Sequence, residues 1–144
     1  MRWRIVSVGK PRLAYARQGA EFYLRRLRPL APVELRPVRA GPREAEALLK
    51  ASEGWLRVVL DERGEALRSR AFADRVTRWE DEGVRRVALI VGGAEGLAPE
   101  VRAAADWTWS LSPLTLQHEL ALLVALEQVY RAYTIKRGSA YHRE

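Results

Sequence analysis

RVALIVGGAEGL, residues 86–97, is a run of apolar residues that stops abruptly at glycine. Val87 to Val91 is unbroken by any polar residue, too short for a helix and rich in β-branching, which is how a parallel strand covered on both faces reads. Three glycines within five residues, Gly92, Gly93 and Gly96, then allow tight turns and close approach of backbone to a neighbour. Pro99 follows at a position suited to the first turn of a helix, predicted over 99–105. One strand–turn–helix unit is thus legible in the middle of the chain.

Similar units flank it. Trp3–Val8, Val33–Val38, Trp55–Leu60 and Trp107–Leu111 are short apolar or β-branched runs. Between them lie helical patterns. Residues 13–27 repeat apolar positions at three-four spacing (Ala16, Ala20, Tyr23, Leu24, Leu27), and Glu44–Ala51 follows a Gly-Pro turn. Residues 69–82 open on Ser69, a predicted cap, with Phe72, Val76 and Trp79 on one side; 117–133 is the longest such pattern. Strands alternating with helices predict an α/β fold with a mostly parallel sheet. At 144 residues, with no repeat or low-complexity linker, the reading is a single domain over 1–144.

Composition narrows the function. There is no cysteine, which removes disulfides, thiolate metal sites and a cysteine nucleophile. Two histidines and no HExxH motif argue against a metal. Residues 1–10 lack a signal-peptide apolar run, and the apolar segment 111–135 is broken by Gln117, His118, Glu119, Glu127 and Arg131, so no membrane span is expected and the protein reads as cytoplasmic. The net charge of +7 is uneven: residues 1–43 carry +9, residues 44–130 carry −5 and residues 131–144 carry +3. A polyanion such as nucleic acid therefore has two landing zones, one at each end of the chain.

Ligands of parallel sheets sit beyond the carboxyl ends of the strands. That rule points to Asp61–Gly64, Gly92–Leu97 and Ser112–Leu116. The glycine segment is neither GxGxxG nor followed by GK[ST], so no nucleotide-phosphate cradle is implied, and by itself it fits a ligand loop or a plain turn. Leu111 to Leu116 is unusually apolar for a loop, which means burial under another element or around a ligand with an apolar face. His118 stands where a helix begins, suited to capping or to orienting an anion. The tail interleaves cations with aromatics (Arg131, Lys136, Arg137, Tyr141, His142, Arg143), a mixture that suits phosphate contact and base stacking or a merely solvated end.

The segments LDERGEALRSRAFA (60–73), VGGAEGL (91–97), LSPLTLQHELALLVALEQVYRAYTI (111–135) and YHRE (141–144) closely resemble the ribosomal large-subunit pseudouridine methyltransferase H family, of the SPOUT superfamily of knotted methyltransferases. Val6–Lys10 and Tyr23–Leu27 extend the resemblance over nearly the whole chain. It implies a C-terminal trefoil knot, a homodimer, and S-adenosylmethionine held by Leu60, Gly92, Leu111, Ser112, Pro113, Leu114, Thr115 and Leu116. It implies methylation of N3 of a pseudouridine in helix 69 of 23S rRNA within the assembled 70S ribosome. Tyr141, His142 and Arg131 would lie near the target base, in the same chain or across the dimer, and Arg131, Arg137, Arg143 and His118 would face RNA.

Two positions depart from the family pattern: Gln117 stands where relatives have Pro, and Leu122 where they commonly have Arg. The methyl acceptor becomes a good nucleophile only as its N3 proton leaves, so some group must take that proton or stabilise the anion. Between the two histidines, His142 is preferred to His118 because the tail is the expected substrate side. An RNA-binding accessory protein without catalysis, and a knotted enzyme acting on tRNA, are the competing classes.

Overall fold

The computed structural model describes residues 1–143; Glu144, which closes the YHRE motif, lies outside the described residues. The chain folds in the order β1 (Arg2–Val8), α1 (Ala14–Leu27), β2 (Val33–Val38), α2 (Glu44–Ala51), β3 (Leu56–Ala66), α3 (Ser69–Asp81), β4 (Arg86–Val91), α4 (Pro99–Ala103), β5 (Trp107–Ser110) and α5 (His118–Lys136). The five strands form one sheet in the order β2-β1-β4-β3-β5, every neighbouring pair parallel. The α/β expectation holds, and the central strand β4 is buried from Val87 to Val91, as its unbroken apolar run predicts.

Alternation along the strands divides the core in two. Trp3, Ile5, Val58, Val87 and Leu89 pack with residues of α1, α3 and α5 on one face, while Val6, Val59, Ala88 and Ile90 pack with Leu48 of α2 and Val101 of α4 on the other. The first face is aromatic. Phe72 stacks on Trp109 with ring centroids 4.2 Å apart, and the Trp3 indole N–H donates to the Tyr133 hydroxyl at 2.9 Å, tying β1 to α5. Gly19 lets α5 lie close on α1, since a Cβ there would come within 2.6 Å of Leu123.

Three elements differ from the sequence reading. The strand predicted to stop at Leu60 continues to Ala66 through a bulge: Leu60 and Glu65 both pair with Trp109. Gly64 permits this return, because a Cβ there would sit 2.5 Å from the Thr108 carbonyl oxygen. So Asp61–Gly64 is a bulged stretch within a strand, not a loop after one. Ser69 is inside α3 and caps nothing; its hydroxyl donates to Gln128 Oε1 of α5 at 2.8 Å, and Arg68 is the cap position. The last helix runs past Tyr133 to Lys136, with Gln117 as its cap.

These connections decide where the last helix starts. β5 is the sheet's edge, yet the first turn of α5 lies near Gly9–Pro11, which follow β1, and near Gly92, which follows β4. Residues 111–117 therefore cross the carboxyl ends of β3 and β4.

Candidate functional site

That crossing closes a cleft of about 630 Å³, within the usual size of a small-molecule site. Its walls are the β3 bulge, the turn after β4 and the loop after β5. Leu60, Gly92, Leu111, Ser112, Leu114, Thr115 and Leu116 all line it; Pro113, in the same predicted set, does not. Asp61 and Leu97 line it too, from the segments that the sheet rule points to, although neither was expected as a contact. Val91, Trp109 and Ala121 also line it, and the sequence reading gave them no such role. Trp109 was legible as an alternate residue of a strand, and Ala121 lies one turn beyond Gln117, but burial against a cleft leaves the same pattern as burial in a core.

Local hydrogen bonds shape the walls. Gly96 has φ +76°, and its N–H donates to the Gly93 carbonyl at 3.0 Å, so the turn folds back on itself. A Cβ on Gly92 would lie 2.9 Å from Leu97 Cγ and 3.2 Å from the Gly96 carbonyl carbon. In the next loop the Ser110 hydroxyl donates to the Ser112 carbonyl, and the Leu114 N–H donates to Ser112 Oγ, each at 3.0 Å. Thr115 Oγ1 donates to Glu62 Oε2 at 2.6 Å, joining two walls across the mouth. Beside it Arg63 hydrogen-bonds Asp61 and holds that carboxyl below its ordinary range.

Gln117 organises the first turn of α5. Its Oε1 accepts from the N–H groups of Glu119 and Leu120, at 2.9 and 3.0 Å, and from the Tyr15 hydroxyl at 3.2 Å. With the oxygen so committed, the amide nitrogen faces His118 Nδ1 at 3.3 Å and donates to it. The capping role considered for His118 thus belongs to Gln117, and His118 lines the cleft. Glu119 Oε1 accepts from the backbone N–H groups of Arg12 and Leu13, fixing the start of α1 against α5. Leu122 is only 2% exposed, so the second departure from the family pattern falls on a core position.

The tail makes a separate cluster at the other end of α5. Arg131 pairs with Glu127 at 2.6 Å and lies 4.7 Å over the Tyr141 ring, and its Nη1 donates to His142 Nδ1 at 3.0 Å. Tyr141 OH donates to Glu127 Oε1 at 3.0 Å. Burial, then hydrogen bonds with Tyr23 and Glu127, push the Tyr141 ionisation well above the ordinary phenol range, so it stays a donor at neutral pH. A guanidinium has no acceptor, so His142 Nδ1 is the accepting nitrogen. Arg137 and Arg143 are exposed nearby. None of Tyr141, His142 and Arg131 lines the cleft of its own chain, and Arg131 stands ten residues beyond Ala121, about 15 Å along the helix axis.

Among the described residues no group of carboxylates and histidines could hold a metal ion, and no helix is long and apolar enough to cross a membrane.

A family model described as "Predicted SPOUT methyltransferase" matches residues 1–142. The chain is 55% identical to a ribosomal RNA large subunit methyltransferase H of Thermus thermophilus, over 99% of each chain. It is 44% identical to the protein of that name from Prochlorococcus marinus, covering 98% of this chain and 92% of that one. Among solved structures, a probable methylase family protein from Haemophilus influenzae superposes with a TM-score of 0.61 at 12% identity, over 99% of this chain and 70% of the other. A probable methyltransferase from Bordetella pertussis superposes with a TM-score of 0.59 at 15% identity, over 92% and 95%. These last two speak for the fold alone. Sequence and fold together give the assignment: the chain belongs to the SPOUT methyltransferase family and, within it, to the group of proteins named ribosomal RNA large subunit methyltransferase H.

Proposed function

We propose that this protein is an S-adenosylmethionine-dependent methyltransferase acting on N3 of a pseudouridine in helix 69 of 23S rRNA, in the assembled cytoplasmic 70S ribosome. The observation that carries the reading is the cleft itself: the three segments picked out by sheet topology converge on one site of ligand size. Its chemistry fits the donor. Leu60, Leu111, Leu116 and Ala121 offer apolar walls for an adenine, and Asp61, Glu62 and Glu95 outnumber Arg63 at the lining, which suits a ligand with a cationic centre. Gly92, Ser112, Leu114, Thr115 and Leu116 would hold it. S-adenosylmethionine supplies a sulfonium methyl group that an aligned nitrogen takes by in-line displacement. In the same reading, the crossing of 111–117 is the closing pass of a C-terminal trefoil knot.

The chain's own residues then have two tasks, to align the base and to manage its N3 proton. Tyr141, His142 and Arg131 perform them in a homodimer, where the tail of one copy covers the cleft of the other. Two observations support the dimer. Arg131 stands about 15 Å along the helix from Ala121 at the cleft of its own chain. Leu13, Tyr15 and Phe22 of the loop before α1 and of α1 itself are 43–47% exposed, an apolar surface that a second copy can cover. As the base arrives, Arg131 moves from His142 to the developing anion, and His142 Nδ1 accepts the proton that leaves. Arg137, Arg143 and His118 contact the surrounding RNA.

Mass spectrometry of rRNA from a deletion strain should show one methyl lost from helix 69, restored by the gene; an unchanged helix 69 refutes the assignment. Calorimetry with S-adenosylmethionine separates an enzyme from an accessory RNA-binding protein, which would bind none. Methylation of purified ribosomes by His142→Ala and His118→Ala tests the proton acceptor: full activity in the first with loss in the second reverses the two roles.

A further inference from the structure

The N-terminal excess of positive charge has no part in the site described so far, yet the fold puts much of it next to the cleft. β1 and β2 run side by side to the pair Val8 and Val38, and the Gly9 N–H donates to the Val38 carbonyl at 2.8 Å, so the segments that follow them emerge together. Those segments carry Lys10, Arg12, Arg39 and Arg43, all exposed. Among the described residues none of the four has an ion-pair partner. Glu44, next to Arg43 in sequence, and Glu46 open α2, and the Glu119 carboxylate is taken by the backbone of Arg12 and Leu13. Lys10 lines a small recess that shares Gly92 and His118 with the cleft.

The opposite end of the sheet carries cations too. Arg2, Arg28, Arg85 and Arg86 stand there among Glu53, Glu80, Asp81 and Glu82 at the ends of α2 and α3. Among the described residues neither set of cations makes an ion pair; what sets Lys10, Arg12, Arg39 and Arg43 apart is their place at the carboxyl end of the sheet, beside the cleft.

From this placement we infer that Lys10, Arg12, Arg39 and Arg43 form a phosphate-binding rim that holds the RNA backbone flanking the target base. The inference rests on the rRNA reading above and adds a surface to it. Three of the four are arginines, whose planar donor fork matches phosphate oxygens, and they sit in loops after adjacent strands instead of on one solvated helix face. An RNA strand delivering a base to the cleft continues over β1 and β2, where the rim meets it. Contacts of this kind position the RNA without reading its sequence.

The test is the salt dependence of binding to a fluorescein-labelled RNA hairpin, from about 50 to 200 mM KCl. Each phosphate contact contributes about 0.7–0.9 to the slope of log K against log salt, so R39A/R43A should flatten it by about 1.5 and weaken binding about tenfold at the low-salt end. R2A/R85A, at the amino end, should leave the slope alone. Both variants should bind S-adenosylmethionine as the wild type does, which rules out misfolding. A steep wild-type slope untouched by R39A/R43A, or flattened equally by R2A/R85A, overturns the rim and leaves the rRNA reading standing. Displacement of the hairpin by polyglutamate at equal charge concentration also overturns it, in favour of an acidic protein partner. No salt-dependent binding of the hairpin by the wild type also overturns the rim, whereas the rRNA reading falls only if 70S ribosomes fail to bind as well.

Discussion

At its amino end α5 borders a cleft whose walls all come from one chain, closed by the crossing of 111–117 and pinned by Gln117, Thr115 and Glu62. At its carboxyl end the same helix carries Arg131, grouped with Glu127, Tyr141 and His142, none of which lines that cleft. The first end lines a cleft of ligand size; the second is a cluster of a guanidinium, a carboxylate, a phenol and an imidazole. The helix holds Arg131 about 15 Å from Ala121 at the cleft, and in the proposed function a second copy brings the two ends together.

Substitutions at the two ends should therefore fail in different ways. The largest effect belongs to the tail: His142→Ala should lower kcat about 100- to 10,000-fold while S-adenosylmethionine affinity by calorimetry stays within about twofold. Donor affinity falling in parallel would merge the two ends into one site. At the cleft, Gly92→Leu drives its side chain into Leu97 and the Gly96 backbone, and should weaken donor binding about a hundredfold with a wild-type circular dichroism spectrum. Tyr133→Phe sharpens the contrast through stability. It leaves the buried Trp3 N–H without its acceptor and should cost about 1–3 kcal/mol in urea denaturation. Donor affinity of the folded protein should be unaffected, because Tyr133 is on the tail half of α5.

The smallest effect is a pH dependence. Burial is the first cause that raises the ionisations of both Tyr133 and Tyr141 above the ordinary 10.0. The folded chain then keeps phenol protons that the unfolded chain releases, so their contribution is intact below pH 10.0 and declines as pH rises beyond it. Denaturation midpoints at rising alkaline pH should fall less steeply in the Tyr133→Phe/Tyr141→Phe double variant than in the wild type.

Much of this was readable in advance, for physical reasons that differ from element to element. The run 86–91 announced a central strand because a strand buried on both faces tolerates no polar residue. Likewise the carboxyl-end rule found the three walls of the cleft before any distance was known. The β3 bulge was not legible: Asp61-Glu-Arg-Gly64 has turn composition, and only contact with Thr108 reveals that Gly64 returns the chain to β5. Ser69 looked like a cap because sequence shows the residue type and not its partner, here Gln128. The separation of His142 from the cleft was hidden in the same way, since spacing along a helix gives distance only once both ends of the site are known.

The most direct test of the divided site is complementation. Gly92→Leu and His142→Ala proteins should each be inactive alone on purified ribosomes. Mixed in equal amounts and allowed to exchange subunits, with mixed dimers verified by native mass spectrometry, they should recover roughly a quarter of wild-type activity. Half of the dimers are then mixed, and each has one intact cleft facing one intact tail. Verified mixed dimers with no recovered activity would contradict the account, because they would mean that cleft and tail must work within a single chain.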